Sequence, residues 1–255
     1  MCAFLLRNMN KGVTSCTAQR RWKPAALVPN SDVTMGAAML PPITAVHTIS
    51  ASNLSVLSDR SNGQRARYVY DFGQEFSGVV RLALPAGMQR GINVTIKHAE
   101  ALSHAPIGPD DGSVFTGNLY WAHPVDYYMT KGGDQPEVYQ PEFTYHGFRY
   151  VQLEFDGDHP APTPQTVTGV NLRSSVAEAG RMQFGSDGNI VDRISSNSWW
   201  TEAAALMSIP AGAAGRGERN GWTGDAAMAA ESELFDFDTA AFFSRYIEQV
   251  LDSQC

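Results

Sequence analysis

"RYVYDFGQEFSGVVRLAL" runs from Arg67 to Leu84, and its spacing decides the fold. Tyr68, Tyr70 and Phe72 fall on one face of an extended chain. Val80, Leu82 and Leu84 do the same beyond "FGQEFSG". Side chains alternate between the two faces of a strand, so a period of two marks half-buried β-structure. The pattern spreads outward from there. Ile92, Val94 and Ile96 share a face in "GINVTIKH", as do Val151, Leu153 and Phe155 in "FRYVQLEF". Val125, Tyr127 and Met129 alternate with Asp126, Tyr128 and Thr130, and "TVTGVNLR" closes the series near Arg173.

Glycine- and proline-bearing stretches such as "FGQEFSG", "PAGMQRG" and "TKGGDQPE" read as turns between antiparallel strands. One sheet cannot cover its own apolar face, so the expected packing is a jelly-roll-like β-sandwich over residues 31–175. Residues 101–123 lack alternation and read as a long loop.

Past Ser174 the period becomes helical. "GSDGNIVDRISSNSWWTEAAALMSIP" offers Ser186 or Asp187 as N-cap, spaces Ile190 and Ile194 one turn apart, and ends before Pro210. A second helix is expected from about Gly224 to Leu234. A third begins at Asp238-Thr239, with Phe243, Tyr246, Ile247 and Val250 striping one face. The pattern therefore predicts a mainly β protein with C-terminal helices over residues 176–255. Their apolar stripes outnumber the partners available, so the helices read as the start of an incomplete helical domain, and the bare third face as a surface for self-association.

Composition narrows function by exclusion. Hydrophobic residues make up 43% of the 255, enough for a core, and the net charge of −7 argues against nucleic acid and anionic membranes as partners. No apolar run reaches the length of a membrane span, and no clear signal peptide is visible. Residues 1–30 hold basic side chains and no acid, and read as a poorly ordered segment. Cys2, Cys16 and Cys255 show neither zinc nor disulfide spacing. No phosphate loop, nucleophile set or cofactor fingerprint appears, so neither cofactor nor metal is expected. His98 and Glu100 share a strand face and read as a core histidine and a surface acid. His146 reads as a structural residue bonded between strands, and Trp199 and Trp200 as helix packing.

The segment "GRGERNGWTGD", Gly215 to Asp225, has no aliphatic side chain and cannot be core. Together with "YDFGQEFSGVVRL", "HAE", "FTYHGFRYV", "IPAGAAGRGERNGWTGDA" and "FDFDTAAFF", in this order, it resembles the bacterial-type α-L-rhamnosidases of glycoside hydrolase family 78, from about Trp22 to Gln254. The resemblance implies a jelly-roll sandwich followed by the first helices of an (α/α)6 barrel. It implies inverting hydrolysis of terminal α-L-rhamnose from glycosides or polysaccharides. Glu218 matches the family's general acid, Asp225 a carboxylate holding sugar hydroxyls, and Arg216, Arg219 and Trp222 their surroundings.

The sequence departs from the family pattern in two ways. Gly212, Ala213, Ala214 and Gly215 stand where the family carries Asp-Cys-Pro-Gln, and that aspartate normally binds the sugar. The late-barrel glutamate that serves as general base has no counterpart in these 255 residues. The expectation is a rhamnosidase fragment inactive by itself, or alternatively a non-catalytic carbohydrate-binding or scaffolding remnant.

Overall fold

A computed structural model describes residues 25–26, 36–58, 65–185 and 189–254. The chain separates into a unit of residues 1–38, of which only irregular residues are described, and a unit of residues 39–255 carrying all the elements below. The readings of the first thirty residues, of the three cysteines, and of Ser186 or Asp187 as cap fall outside the described residues.

The larger unit begins with the strands β1 (Ile43–Ser50), β2 (Asn53–Ser58), β3 (Ala66–Leu84) and β4 (Asn93–Ala99). Two short strands, β5 (Ala101–Leu102) and β6 (Val114–Phe115), pair with each other inside the expected long loop. β7 (Val125–Met129), β8 (Glu137–Tyr139), β9 (His146–Phe155) and β10 (Val167–Ser174) complete the main sheet. Eight strands form this one sheet in the order β1-β10-β3-β9-β4-β7, with β2 and β8 also on β3, and their pairings are antiparallel.

The two layers expected of a sandwich arise because this sheet curls along β3. Its first half pairs with β2 and its second half with β10 and β8, while β9 follows both halves. "FGQEFSG" is therefore not a turn between strands. Pairing to β9 lapses only between Asp71 and Phe76, where the strand bulges and Gly73 takes φ +72°. Arg149 on β9 spans the lapse, donating from Nε and Nη2 to the two Asp71 oxygens at 2.8 and 2.9 Å. Such a bulge re-aims side chains, and here it turns out Gln74 and Glu75.

Phe72, Phe76 and Phe148 meet edge-on or tilted in the core under this bend, with Tyr70, Val80, Leu82, Ile96 and Leu153 around them. Strand β7 is inside-out relative to the expectation. Tyr127 and Met129 are exposed, and Tyr128 turns inward to stack on Tyr139 and donate to Glu137.

Helix α1 (Ile190–Ala205) starts at Asn189, whose side chain accepts from the Val191 amide at 2.9 Å. Ile190 and Ile194 are exposed, and burial falls instead on Trp199 and Ala203. The two-residue strands β11 (Leu206–Met207) and β12 (Ile209–Pro210) form a tight hairpin before α2 (Thr223–Asp236) and α3 (Ala240–Asp252). On α3 the expected Tyr246 is buried and Phe243 is partly buried, but Phe242 rather than Ile247 completes the buried line, and Ile247 is exposed.

Val176, Trp199, Ala203, Leu206, Phe237 and Phe242 make a second core between sheet and helices. Arg173 reaches into it from the end of β10. It lies over Phe237 at 4.9 Å and donates to the Val176 carbonyl at 2.9 Å. No described helix is long and apolar enough to cross a membrane.

Candidate functional site

Residues 211–221 form a loop whose ends are drawn together by a bridge between Ala211 and Gly221. The Gly212 amide donates to the Asn220 carbonyl at 3.2 Å, and Tyr246 on α3 donates its hydroxyl to the Gly221 carbonyl at 2.8 Å. A loop closed at its base keeps a fixed stem while its tip projects charge. Ala213 and Arg219 hold positive φ to make the bends.

The tip is seated on the sheet by Tyr145 and Gly147, on either side of His146. Arg219 lays its guanidinium over the Tyr145 ring at 4.4 Å. Gly147 must be glycine, because a Cβ there would run into the backbone of Ala214 and Gly215. Gly215 in turn abuts the Glu100 carboxylate, and a side chain there would strike it. The expected long loop returns to the same place. Asn118 donates to Glu100 at 2.9 Å, and Tyr120 lies under Arg216 at 4.9 Å.

Glu218 sits between these two anchored arginines. Its carboxylate stands 4.0 Å from Arg216, both side chains being about two-fifths exposed at 40% and 42%. Trp222 is exposed at the head of α2, and Asp225 lies in that helix's first turn, where a negative charge suits the dipole.

A cleft of about 830 Å³ opens between this loop, α1, α2 and the β3 bulge. Of the five expected site residues, Asp225 lines it, while Glu218, Arg216, Arg219 and Trp222 stand outside its lining. Gly212 also faces the cleft, and a Cβ on it would come 3.3 Å from the edge of the Trp222 indole.

Two acids not expected at the site, Glu75 and Glu100, share the cleft wall. Glu100 is not a surface acid. Burial raises its carboxyl above the usual range, against the opposing pull of Arg216 and the Asn118 hydrogen bond. Glu75 retains exposed surface, yet desolvation of its carboxyl and the charge of Glu100 push it up to about 7. Its exposure tempers the first effect, so the neighbouring acid is the firmer cause of the rise. Both acids belong to stretches singled out in the sequence, "FGQEFSG" and "HAE", but nothing local says that bulge and loop bring them together. Trp199 is buried helix packing as expected, whereas Trp200 is only partly buried and lines the cleft.

Metal-ligating side chains gather nearby. His98, Asp126 and His146 bring one ligand atom each to within 4.8 Å of one another. His146 Nε2 lies 3.1 Å from Asp126 Oδ2, which bears out the inter-strand bond expected of it. His98 is wholly buried, and burial followed by the neighbouring His146 pushes its imidazole down to about 3. Asp126 went unread because its strand faces the other way from its apolar alternation.

Residues 62–173 match the bacterial α-L-rhamnosidase concanavalin-like domain, and residues 180–255 match the bacterial α-L-rhamnosidase six-hairpin glycosidase domain. The chain belongs to the bacterial α-L-rhamnosidase family.

Among relatives in that family, an α-L-rhamnosidase of Streptomyces avermitilis is 33% identical over 187 residues, 73% of this chain and 17% of the relative. One from Formosa agariphila is 33% identical over 186 residues, again 73% of this chain and 19% of the relative. Of solved structures, the α-L-rhamnosidase from Dictyoglumus thermophilum superposes with a TM-score of 0.74 at 32% identity, covering 85% of this chain and 22% of that one. The Streptomyces avermitilis enzyme, solved with L-rhamnose, gives 0.72 at 29% identity, over 85% of this chain and 19% of that one. The chain thus spans about a fifth of the length of the relatives it matches.

Proposed function

We propose that this chain carries the acid side of an inverting α-L-rhamnosidase site, with Glu218 as proton donor to the glycosidic oxygen. Inversion needs two carboxyls about 6.5–9.5 Å apart, one protonating the leaving oxygen and one activating water on the opposite face of the sugar. Asp225, at the cleft and on the first turn of α2, would accept from sugar hydroxyls, with Trp222 as an apolar wall. Arg216 and Arg219 would fix the loop rather than the substrate, each being spread over a tyrosine ring.

The observation that carries this reading is the seating of the loop. Both arginines flanking Glu218 are committed to aromatic faces, and Arg216 reaches it only at 4.0 Å. A donor locked in a bidentate guanidinium pair would hold no proton to give. Glu218 is in no such bidentate pair, and about two-fifths of its side chain is exposed.

The water-activating carboxylate is expected on a later barrel helix in this family. On that reading the 255-residue polypeptide does not turn over by itself. Glycine at 212 favours the second reading, a carbohydrate-binding remnant, because it leaves the cleft without one of its sugar-holding carboxylates.

The test extends the chain with the barrel helices of its Streptomyces avermitilis relative and compares Glu218→Gln with the parent on two rhamnosides. A poor leaving group should slow by roughly 10²–10⁴-fold. An activated phenol, which departs without a proton, should slow far less. Equal slowing on both would mark Glu218 as a binding or structural residue. Turnover by the 255 residues alone would refute the need for a second carboxylate elsewhere, and an inactive extended parent that still binds L-rhamnose would favour the remnant.

A further inference from the structure

We propose that His98, Asp126 and His146 form a binding site for a zinc-class divalent ion, on three adjacent strands beneath the loop that carries Glu218. The case begins with where the protons are. The Pro124 carbonyl can only accept, so the His98 Nδ1 that faces it at 3.2 Å carries the hydrogen. A neutral imidazole has a single N–H, so His98 Nε2 is a bare lone pair. That atom is buried, and no donor among the described residues reaches it. It faces Asp126 Oδ2 at 3.9 Å, so two acceptors confront one another with nothing positive between them.

His146 repeats the pattern. Its Nε2 donates to the same Asp126 oxygen at 3.1 Å, which leaves Nδ1 as a second buried lone pair without a partner among the described residues. Buried polar atoms are nearly always satisfied, and the orphaned His98 Nε2, aimed at a carboxylate, calls for a cation. A proton answers poorly, because the two rings stack 4.0 Å apart and a charged imidazolium there would be both buried and crowded.

A divalent ion suits the donors better. Two imidazole nitrogens and one carboxylate are ligands of zinc and its first-row neighbours, whereas calcium and magnesium prefer all-oxygen shells. The Nδ1–H of His98 held by a backbone carbonyl is the outer bond that orients metal-ligating histidines. Three protein ligands leave a further position for water, and Asp126, with 13% of its side chain exposed, is the way in.

Loading requires one local change. The rings lie nearly parallel, 20° apart, so His146 must turn for both Nε2 lone pairs to converge. The turn gives up the Nε2–H bond to Asp126, which the ion replaces. The proton leaves Nε2 and one is taken up on Nδ1, so no net proton is released. Since Tyr145 and Gly147 seat the Glu218 loop, the ion would fix the strand end on which that loop rests.

The experiment uses the 255-residue chain stripped with EDTA and titrated with Co²⁺, then with Zn²⁺. One Co²⁺ per chain should give visible ligand-field bands that Zn²⁺ abolishes, and proton spectra should show two contact-shifted imidazole N–H signals. Zn²⁺ at about a hundredfold excess over its Kd should raise Tm by roughly 5–10 °C. Asp126→Asn and His146→Gln should each weaken binding by more than the roughly 10–100-fold typical of losing an outer-shell partner. Absent bands with an unmoved Tm would overturn the proposal, as would bands that persist unchanged in either variant. Should both variants fail to fold, the count of shifted imidazole signals in the parent still decides, and fewer than two refutes the site.

Discussion

Gly147→Ala tests whether the loop bearing Glu218 truly rests on the sheet. The added Cβ would meet only backbone atoms of Ala214 and Gly215, which cannot rotate away as a side-chain tip would. Gly147 does not have a positive φ, so alanine meets no backbone penalty of its own. Either strand or loop must move. The strand is held by pairing of Gly147 with Ser77 and of His146 with Gly78, whereas the loop tip rests on its stem, two aromatic contacts and the Glu100 carboxylate. The loop should yield.

Overpacking of this kind costs about 1–3 kcal/mol, and the lower entropy of the unfolded alanine chain returns about 0.4–1 kcal/mol. A net loss of roughly 1–2 kcal/mol should lower Tm by about 2–8 °C. Gly224→Ala, where nothing lies within 4 Å, is the control and should leave Tm unchanged or slightly higher. Trypsin should cut Gly147→Ala faster at Arg216 and Arg219 than it cuts the parent. A variant with the parent's Tm and the parent's cleavage rate would refute the seating.

Gly212→Asp should tighten L-rhamnose binding by about 10–100-fold in calorimetry, the worth of charge-assisted hydrogen bonds to sugar hydroxyls. The indole edge 3.3 Å from the new Cβ has only a few tenths of an ångström to give, and unchanged affinity would count against the cleft as the sugar site. Glu233 is buried on α2, and burial followed by the charge of Glu202 raises its carboxyl from 4.5 to about 7. The folded state then holds more protons than the unfolded one across that window, so stability should fall by up to about 3 kcal/mol as pH rises from 4.5 to 7. Melting curves of Glu233→Gln across this range should lose that slope.

The strands were legible because alternation needs only near neighbours. Misreadings arose where distant residues decide. "FGQEFSG" carries every local mark of a turn, yet β9 pairs on both sides of it and the Arg149–Asp71 clamp carries β3 through. β7 turns its apolar set outward because Glu137 on β8 and His146 on β9 offer Tyr128 and Asp126 better partners inside. On α3 the stripe was found but its centre shifted to Phe242, which completes the core around Trp199 and Phe237. That residues 215–221 form a loop could be read from the sequence, because glycine and charge are local facts. Glu75 and Glu100 could not, since their pairing depends on a bulge and a loop contact.

The triplet Tyr145, His146 and Gly147 has a consequence for recombining relatives. Each of the three answers to a different partner: Arg219, Asp126, and the Ala214–Gly215 backbone. A chimera joined near Ser174 would look conservative, because it leaves sheet and helices each intact. It would nevertheless separate a loop from the strand shaped to receive it. Exchange between family members should therefore move Tyr120, residues 145–147 and residues 211–222 as one inherited set, whatever junction is chosen elsewhere.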